Sequence, residues 1–145
     1  MLPFALHLLV SDVPASIRWY QQALGASLIR ELHLPDGSIA LADLDLSGLP
    51  IALAAPLPGT AMATPDSTST TVAAFRLSVD DADAAMARAV EAGGRINAAV
   101  QDMFWGVRTG EVLDPSGHRW AFDQQLRDVP AEEIEAKLAE FLTGH

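Results

Sequence analysis

The groups best suited to chemistry in this chain fall on predicted strands: His7, Asp43, Arg76, Arg119 and Asp123. An imidazole exchanges a proton near neutral pH or ligates a metal. A guanidinium holds a carboxylate through paired hydrogen bonds. Strand alternation groups them. In residues 3–10, Phe4, Leu6, Leu8 and Val10 share one face, and Pro3, Ala5, His7 and Leu9 the other. In residues 74–79, Phe75, Leu77 and Val79 oppose Ala74, Arg76 and Ser78. In the last strand, Trp120 and Phe122 oppose Arg119, Ala121 and Asp123. The bulky faces are expected to pack under helices. The opposite faces mix alanines with polar groups, where a structural face would carry Val, Ile and Leu. That pattern reads as a cavity wall; a solvated sheet face would give it too.

Phe104 and Trp105 are adjacent at a strand junction, so both cannot bury on one face. At least one is expected at a rim, interface or pocket, where a ring can stack on a planar ligand for about 0.5–1.5 kcal/mol beyond the area it covers. Trp19 and Trp120 are expected in the core. Arg76 and Arg108 either bridge to Asp43 or Asp123 or hold a ligand carboxylate. His33 and His145 read as exposed, and His118 as facing away from the cavity. No nucleophile–base pair has the context of an elbow or triad, and no glycine-rich loop is built for phosphate. No catalytic residue is therefore assigned.

The elements that must position these residues come in two copies. Residues 5–52 moved forward by 69 positions land on 74–121 with thirteen identities, among them Ala5/Ala74, Asp12/Asp81, Gly25/Gly94, Leu44/Leu113, Asp45/Asp114, Gly48/Gly117 and Ala52/Ala121. A repeat of this length is a supersecondary module, so two copies should build one domain around a pseudo-twofold axis. Each copy reads β-α-β-β-β. Asp12 caps a helix that runs to Leu24 and stops at Gly25. Strands follow over 27–34, 38–46 and 50–55, with Pro35-Asp36-Gly37 as a turn. The second copy places a strand at 71–79, a helix at 82–92, and strands near 95–101, 107–113 and 118–124. Pro56 to Ser69 reads as a linker that could serve as a mobile flap. A last helix from Pro130 carries Ile134, Leu138 and Phe141 as a narrow apolar stripe. The expected organisation is a single domain, 1–145: module one 1–55, linker 56–69, module two 70–127 and a C-terminal helix 128–145.

The 145 residues include no cysteine, which excludes disulfides and thiolate metal sites. A net charge of −10 argues against nucleic acid, since phosphate contact needs a basic patch. It would suit a cationic ligand or simply confer solubility. No apolar run is long enough to span a bilayer and no basic leader opens the chain, so a cytoplasmic location is expected.

Val10-Ser11-Asp12, Trp19-Tyr20 with Leu24-Gly25-Ala26, and Val79-Asp80-Asp81 with Gly93-Gly94 resemble the vicinal-oxygen-chelate superfamily of glyoxalase I, extradiol dioxygenases and bleomycin-resistance proteins. Trp105-Gly106-Val107-Arg108-Thr109-Gly110, Asp114-Pro115-Ser116-Gly117-His118-Arg119-Trp120, and Asp128-Val129 with Glu132-Glu133 resemble its PhnB-like subgroup. The resemblance implies an α+β fold: two tandem βαβββ modules forming a half-open barrel, plus the C-terminal helix. Enzymes of the superfamily hold a divalent metal with four side chains, and the matching positions here are Ala5, Ala52, Ala74 and Ala121. Alanine has no lone pair to donate, and the subgroup's frequent histidine is Leu41. The expectation is therefore a protein with no metal and no cofactor. It would bind a small, aromatic or cationic molecule, sequestering an antibiotic as bleomycin-resistance relatives do, through His7, Asp43, Arg76, Phe104, Trp105, Arg108, Arg119 and Asp123. The resemblance implies a homodimer with pockets near the subunit boundary. Two alternatives stay open. One is a glyoxalase- or dioxygenase-like enzyme with relocated ligands such as His7, Asp43 and Asp123. The other is an assembly or regulatory subunit that binds no small molecule.

Overall fold

The computed structural model describes residues 3–144. Module one comprises β1 (Leu6–Leu9), α1 (Val13–Leu24), β2 (Ser27–His33), β3 (Ile39–Leu46) and β4 (Leu49–Ala54). A short helix, α2 (Pro65–Thr68), interrupts the connection. Module two comprises β5 (Ala74–Ser78), α3 (Ala82–Glu91), β6 (Arg95–Asp102), β7 (Val107–Leu113) and β8 (Arg119–Gln125), and α4 (Ala131–Thr143) follows. The expected α+β architecture of two βαβββ modules with a C-terminal helix is the one observed.

Local chemistry starts both long helices in the same way. The Asp12 carboxylate accepts from the Ala15 N–H at 3.0 Å, and Asp81 accepts from Ala84 at 3.0 Å. Each aspartate is extended, with φ of −139° and −144°, so each satisfies a donor the helix leaves open. Gly25 ends α1 at φ +73°, a left-handed conformation that costs glycine little. Its counterpart in that role is Gly93, at φ +111°, one position before the glycine the repeat aligns with it.

The strand orders are β1-β4-β3-β2 and β5-β8-β7-β6, each with one parallel pair and two antiparallel pairs. The helices lie between the sheets. α1 packs on β2, β3 and β4, α3 packs on β6, β7 and β8, and the two helices pack on each other. One core results, holding Leu8, Ile17, Trp19, Tyr20, Leu44, Ile51 and Leu53 from module one with Met86, Val112, Trp120 and Phe122 from module two. Large side chains buried to this degree stabilise by about 1.5–3 kcal/mol each. With the helices inside, the opposite sheet faces point away from each other, and no closed barrel forms within one chain.

Two expectations need correction. Phe4 does not pack under a helix: β1 begins only at Leu6, and Phe4 is 63% exposed. The repeat also slips by one residue in its last hairpin. Asp43 pairs with Ala52, but Ala121 pairs with Glu111, so the structural partner of Asp43 is Glu111 and not Val112. The second hairpin therefore encloses one residue more between these pairs than the first, and its turn spans 114–118 where the first spans 47–48. Leu44 is accordingly buried, while Leu113 lies on the opposite face and is only half-buried.

Candidate functional site

Register sets what each outer face presents. On sheet one, β1–β4–β3–β2 pairing aligns His7, Ala52, Asp43 and Arg30 in a row. The Arg30 Nε donates to Asp43 Oδ2 at 2.6 Å. Beside this row runs a groove of about 650 Å³ whose wall includes Ala5, Ile29, Pro50 and Ala52. Its lining is mostly apolar, which is unusual for a face turned to water. His7 stands exposed at the end of the row.

On sheet two, the matching row is Arg76, Ala121 and Glu111. Arg76 donates to both oxygens of Asp123, each at 2.7 Å, and the Thr109 hydroxyl donates to Asp123 at 2.6 Å. Arg119 grips Glu111 through two bonds of 2.6 and 3.0 Å, and the Asn97 amide adds a third at 2.6 Å. These donors, Arg119 first, hold the Glu111 carboxyl below the usual glutamate range. The next row aligns Ala74, Arg119, Leu113 and Arg95. Above it, residues 65–71 roof a second groove of about 520 Å³.

The linker is tied down at this roof. Asp66 takes the hydroxyls of Ser11 and Thr64, and its backbone N–H donates to the Ser116 carbonyl at 2.8 Å. Those bonds, that of Thr64 foremost, lower the Asp66 pKa. The Ser116 hydroxyl also accepts from the Ser11 N–H at 2.9 Å, and the His118 ring meets the Leu9 carbonyl at 2.7 Å. His118 thus serves the contact between modules, away from the outer faces.

The structure gathers His7 and Asp43 on one sheet and Arg76, Arg119 and Asp123 on the other. Within one chain His7, Asp43 and Asp123 do not meet. Arg108 points the other way: alternation sends Thr109 outward and Arg108 toward α3, where it bridges Asp83 and Asp102 at 2.9 and 2.7 Å. Arg30, and not Arg76 or Arg108, takes Asp43. Phe104 and Trp105 form an edge-to-face pair, 4.9 Å between ring centres, in the β6–β7 turn. The next residue, Gly106, accepts from the Leu126 and Arg127 N–H groups, so the aromatic pair sits by the root of α4 and lines neither groove. Trp19 is core, with its indole N–H on the Ala89 carbonyl at 3.2 Å. His33 is exposed beside Glu31, and His145 lies outside the described residues. Sequence reasoning missed Arg30, Arg95, Asn97, Thr109 and Glu111. Alternation applied to β7 would have found Thr109 and Glu111.

A metal of the kind the resemblance implies does not fit these faces. The four matching positions are alanines, and the neighbouring Asp43, Glu111 and Asp123 are each held by an arginine. Among the described residues no group of three or more His, Asp or Glu side chains is arranged for a metal. Also among them, no helix is long and apolar enough to cross a membrane.

Comparison with known proteins places this architecture. Over 136 residues the chain is 35% identical to an uncharacterized protein of Mycobacterium tuberculosis, covering 92% of this chain and 80% of that one. The solved structure of TioX from Micromonospora sp. ML1 superposes with a TM-score of 0.65 at 26% identity, covering 87% of this chain and all of that one. TnmS3, an antibiotic binding protein from Streptomyces sp. CB03234, shares the fold with a TM-score of 0.59 at 20% identity, covering 86% of this chain and 99% of that one. Residues 3–122 match the family model for the glyoxalase/bleomycin resistance protein/dioxygenase superfamily, and the chain, with its paired βαβββ modules, belongs to that superfamily.

Proposed function

We propose that this protein binds a small organic molecule without a metal and sequesters it, as an antibiotic-binding member of its superfamily. One observation carries the reading: two of the positions that would present metal ligands, Ala5 and Ala52, are alanines in the wall of an apolar groove of about 650 Å³ on an outward face. Small side chains leave volume for a ligand, and apolar lining supplies its affinity. A solved structure of the same fold belongs to an antibiotic binding protein, which supports the ligand class. The tryptophan–glycine and Asp114-Pro115-Ser116-Gly117 motifs support the narrower PhnB-like grouping.

The working form is a homodimer. Each outer face is half of an enclosure, and a second copy can supply the other half by bringing its sheet two over sheet one. Exposed Ile29 and Leu32 on β2 and Ile96 on β6 give such a contact apolar area.

Native mass spectrometry with and without zinc or manganese, joined to calorimetric titration with a panel of aromatic antibiotics, tests this. The expected result is a dimer whose mass is unchanged by metal and one bound antibiotic per groove. Ala52→Trp should fill the groove and abolish binding with the fold intact. A stoichiometric metal that survives desalting would overturn the reading.

A further inference from the structure

The groove under residues 65–71 has a chemistry unlike the apolar one. In a chain with 9 basic and 19 acidic residues, arginines are scarce and mostly paired. Arg30, Arg76, Arg108, Arg119 and Arg127 each bridge to carboxylates, and Arg88 donates to the Gln22 carbonyl. Arg95 has no carboxylate partner among the described residues, yet it lines a groove of about 520 Å³. Arg18 also lacks one and is exposed like Arg95, but it lines none of the grooves described.

Other donors converge there. Ser69 and Thr70 line the same groove as Arg95, and neither hydroxyl donates within the described residues. Arg119 spends its Nε and one terminal nitrogen on Glu111, which leaves the other terminal nitrogen available. The carboxylate along the groove, Asp66, is engaged by Ser11 and Thr64, and Glu111 is engaged by Arg119 and Asn97. A guanidinium and two hydroxyls lining one groove match a planar anion, which takes charge-assisted bonds from the first and neutral bonds from the others. We infer that this groove is an anion subsite, and that the ligand carries a carboxylate held by Arg95, Ser69 and Thr70.

This deepens the binding reading by giving the ligand a charge, and it has a separate test. Benzoate and benzamide, alike in shape and different in charge, are titrated into the isotopically labelled protein at low salt and followed by amide NMR. Benzoate is expected to shift Ser69, Thr70 and Thr71 and the Arg95 side-chain N–H, while benzamide leaves them in place. Arg95→Gln should weaken benzoate at least tenfold with an unchanged melting temperature. Equal shifts from both probes, no shift from either, or unchanged benzoate affinity in Arg95→Gln would overturn the subsite. Antibiotic binding blocked by Ala52→Trp but indifferent to Arg95→Gln would leave the binding reading standing and remove only the carboxylate.

Discussion

The Tyr20 hydroxyl donates to the Asp114 carboxylate at 2.5 Å across 94 residues of sequence, and both groups are buried. The Trp120 indole N–H donates to the same hydroxyl oxygen at 3.0 Å. The other Asp114 oxygen accepts from the N–H groups of Ser116 and His118 at 2.9 and 2.8 Å. A helix of module one is thereby bonded to the last turn and last strand of module two. Tyr20→Phe removes the hydroxyl and leaves a buried carboxylate oxygen and an indole N–H short of a partner. A loss of about 1–3 kcal/mol is expected, read as a lower urea midpoint.

The same contact sets alkaline behaviour. Burial first, and then the Asp114 charge, push the Tyr20 pKa well above its usual value. A raised folded pKa means that the stabilisation is present below the unfolded value, about 10, and is lost as pH climbs past it. Tyr20 is the only tyrosine in the chain, so the alkaline rise in ultraviolet absorbance, above the constant tryptophan background, reports it alone. Tyrosinate should appear only together with loss of circular dichroism. Ionisation in the folded protein near pH 10 would contradict the buried bond.

Acid acts through sheet two. Glu111 has a depressed pKa because Arg119 and Asn97 bond its ionised form. Its stabilisation is present above the ordinary glutamate value, about 4.3, and is lost as pH falls through the lower folded value. Denaturation midpoints should therefore decline below about pH 4. Glu111→Gln should flatten that decline and cost about 1 kcal/mol at pH 7, the upper end for a pair with one exposed partner.

Two glycines with nearly the same backbone make a matched comparison. Gly37 and Gly106 have φ of +86° and +89°. A Cβ on Gly37 meets nothing within 4 Å, whereas one on Gly106 falls 2.3 Å from the Arg127 carbonyl oxygen. Gly37→Ala should cost only the left-handed penalty, about 1–2 kcal/mol. Gly106→Ala should cost about 1–3 kcal/mol more and move the root of α4. Paired thermal melts separate the two.

What the sequence made legible was local or periodic. Asp12 and Asp81 cap helices because a carboxylate three residues from a free N–H needs no distant partner. Trp120 and Phe122 fall on the core side because alternation holds along an unbroken strand. The rest depended on contacts far apart in sequence. The linker has no hydrophobic period, and α2 is fixed by Ser11 and Ser116, which are remote in the chain. The partner of Arg108 is chosen by where α3 passes. The hairpin slip was hidden because Leu44/Leu113 and Asp45/Asp114 coincide as letters while facing opposite ways. At the site, alanines and outward charges were readable, but the unpaired Arg95 was not, because pairing is a property of the folded sheet.

The longer turn after β7 has an evolutionary consequence. If the two halves descend from one duplicated ancestor, the change of pairing register is what turned Asp114 inward, where the Tyr20 hydroxyl now donates to it. Asp45, its counterpart in letters, stays at its own turn and accepts from the Gly48 N–H at 3.1 Å. Shortening the turn after β7 to match the first hairpin would take the acceptor from the buried Tyr20 hydroxyl. On that descent the halves still share a plan, but neither can substitute for the other, because only one carries the buried acceptor.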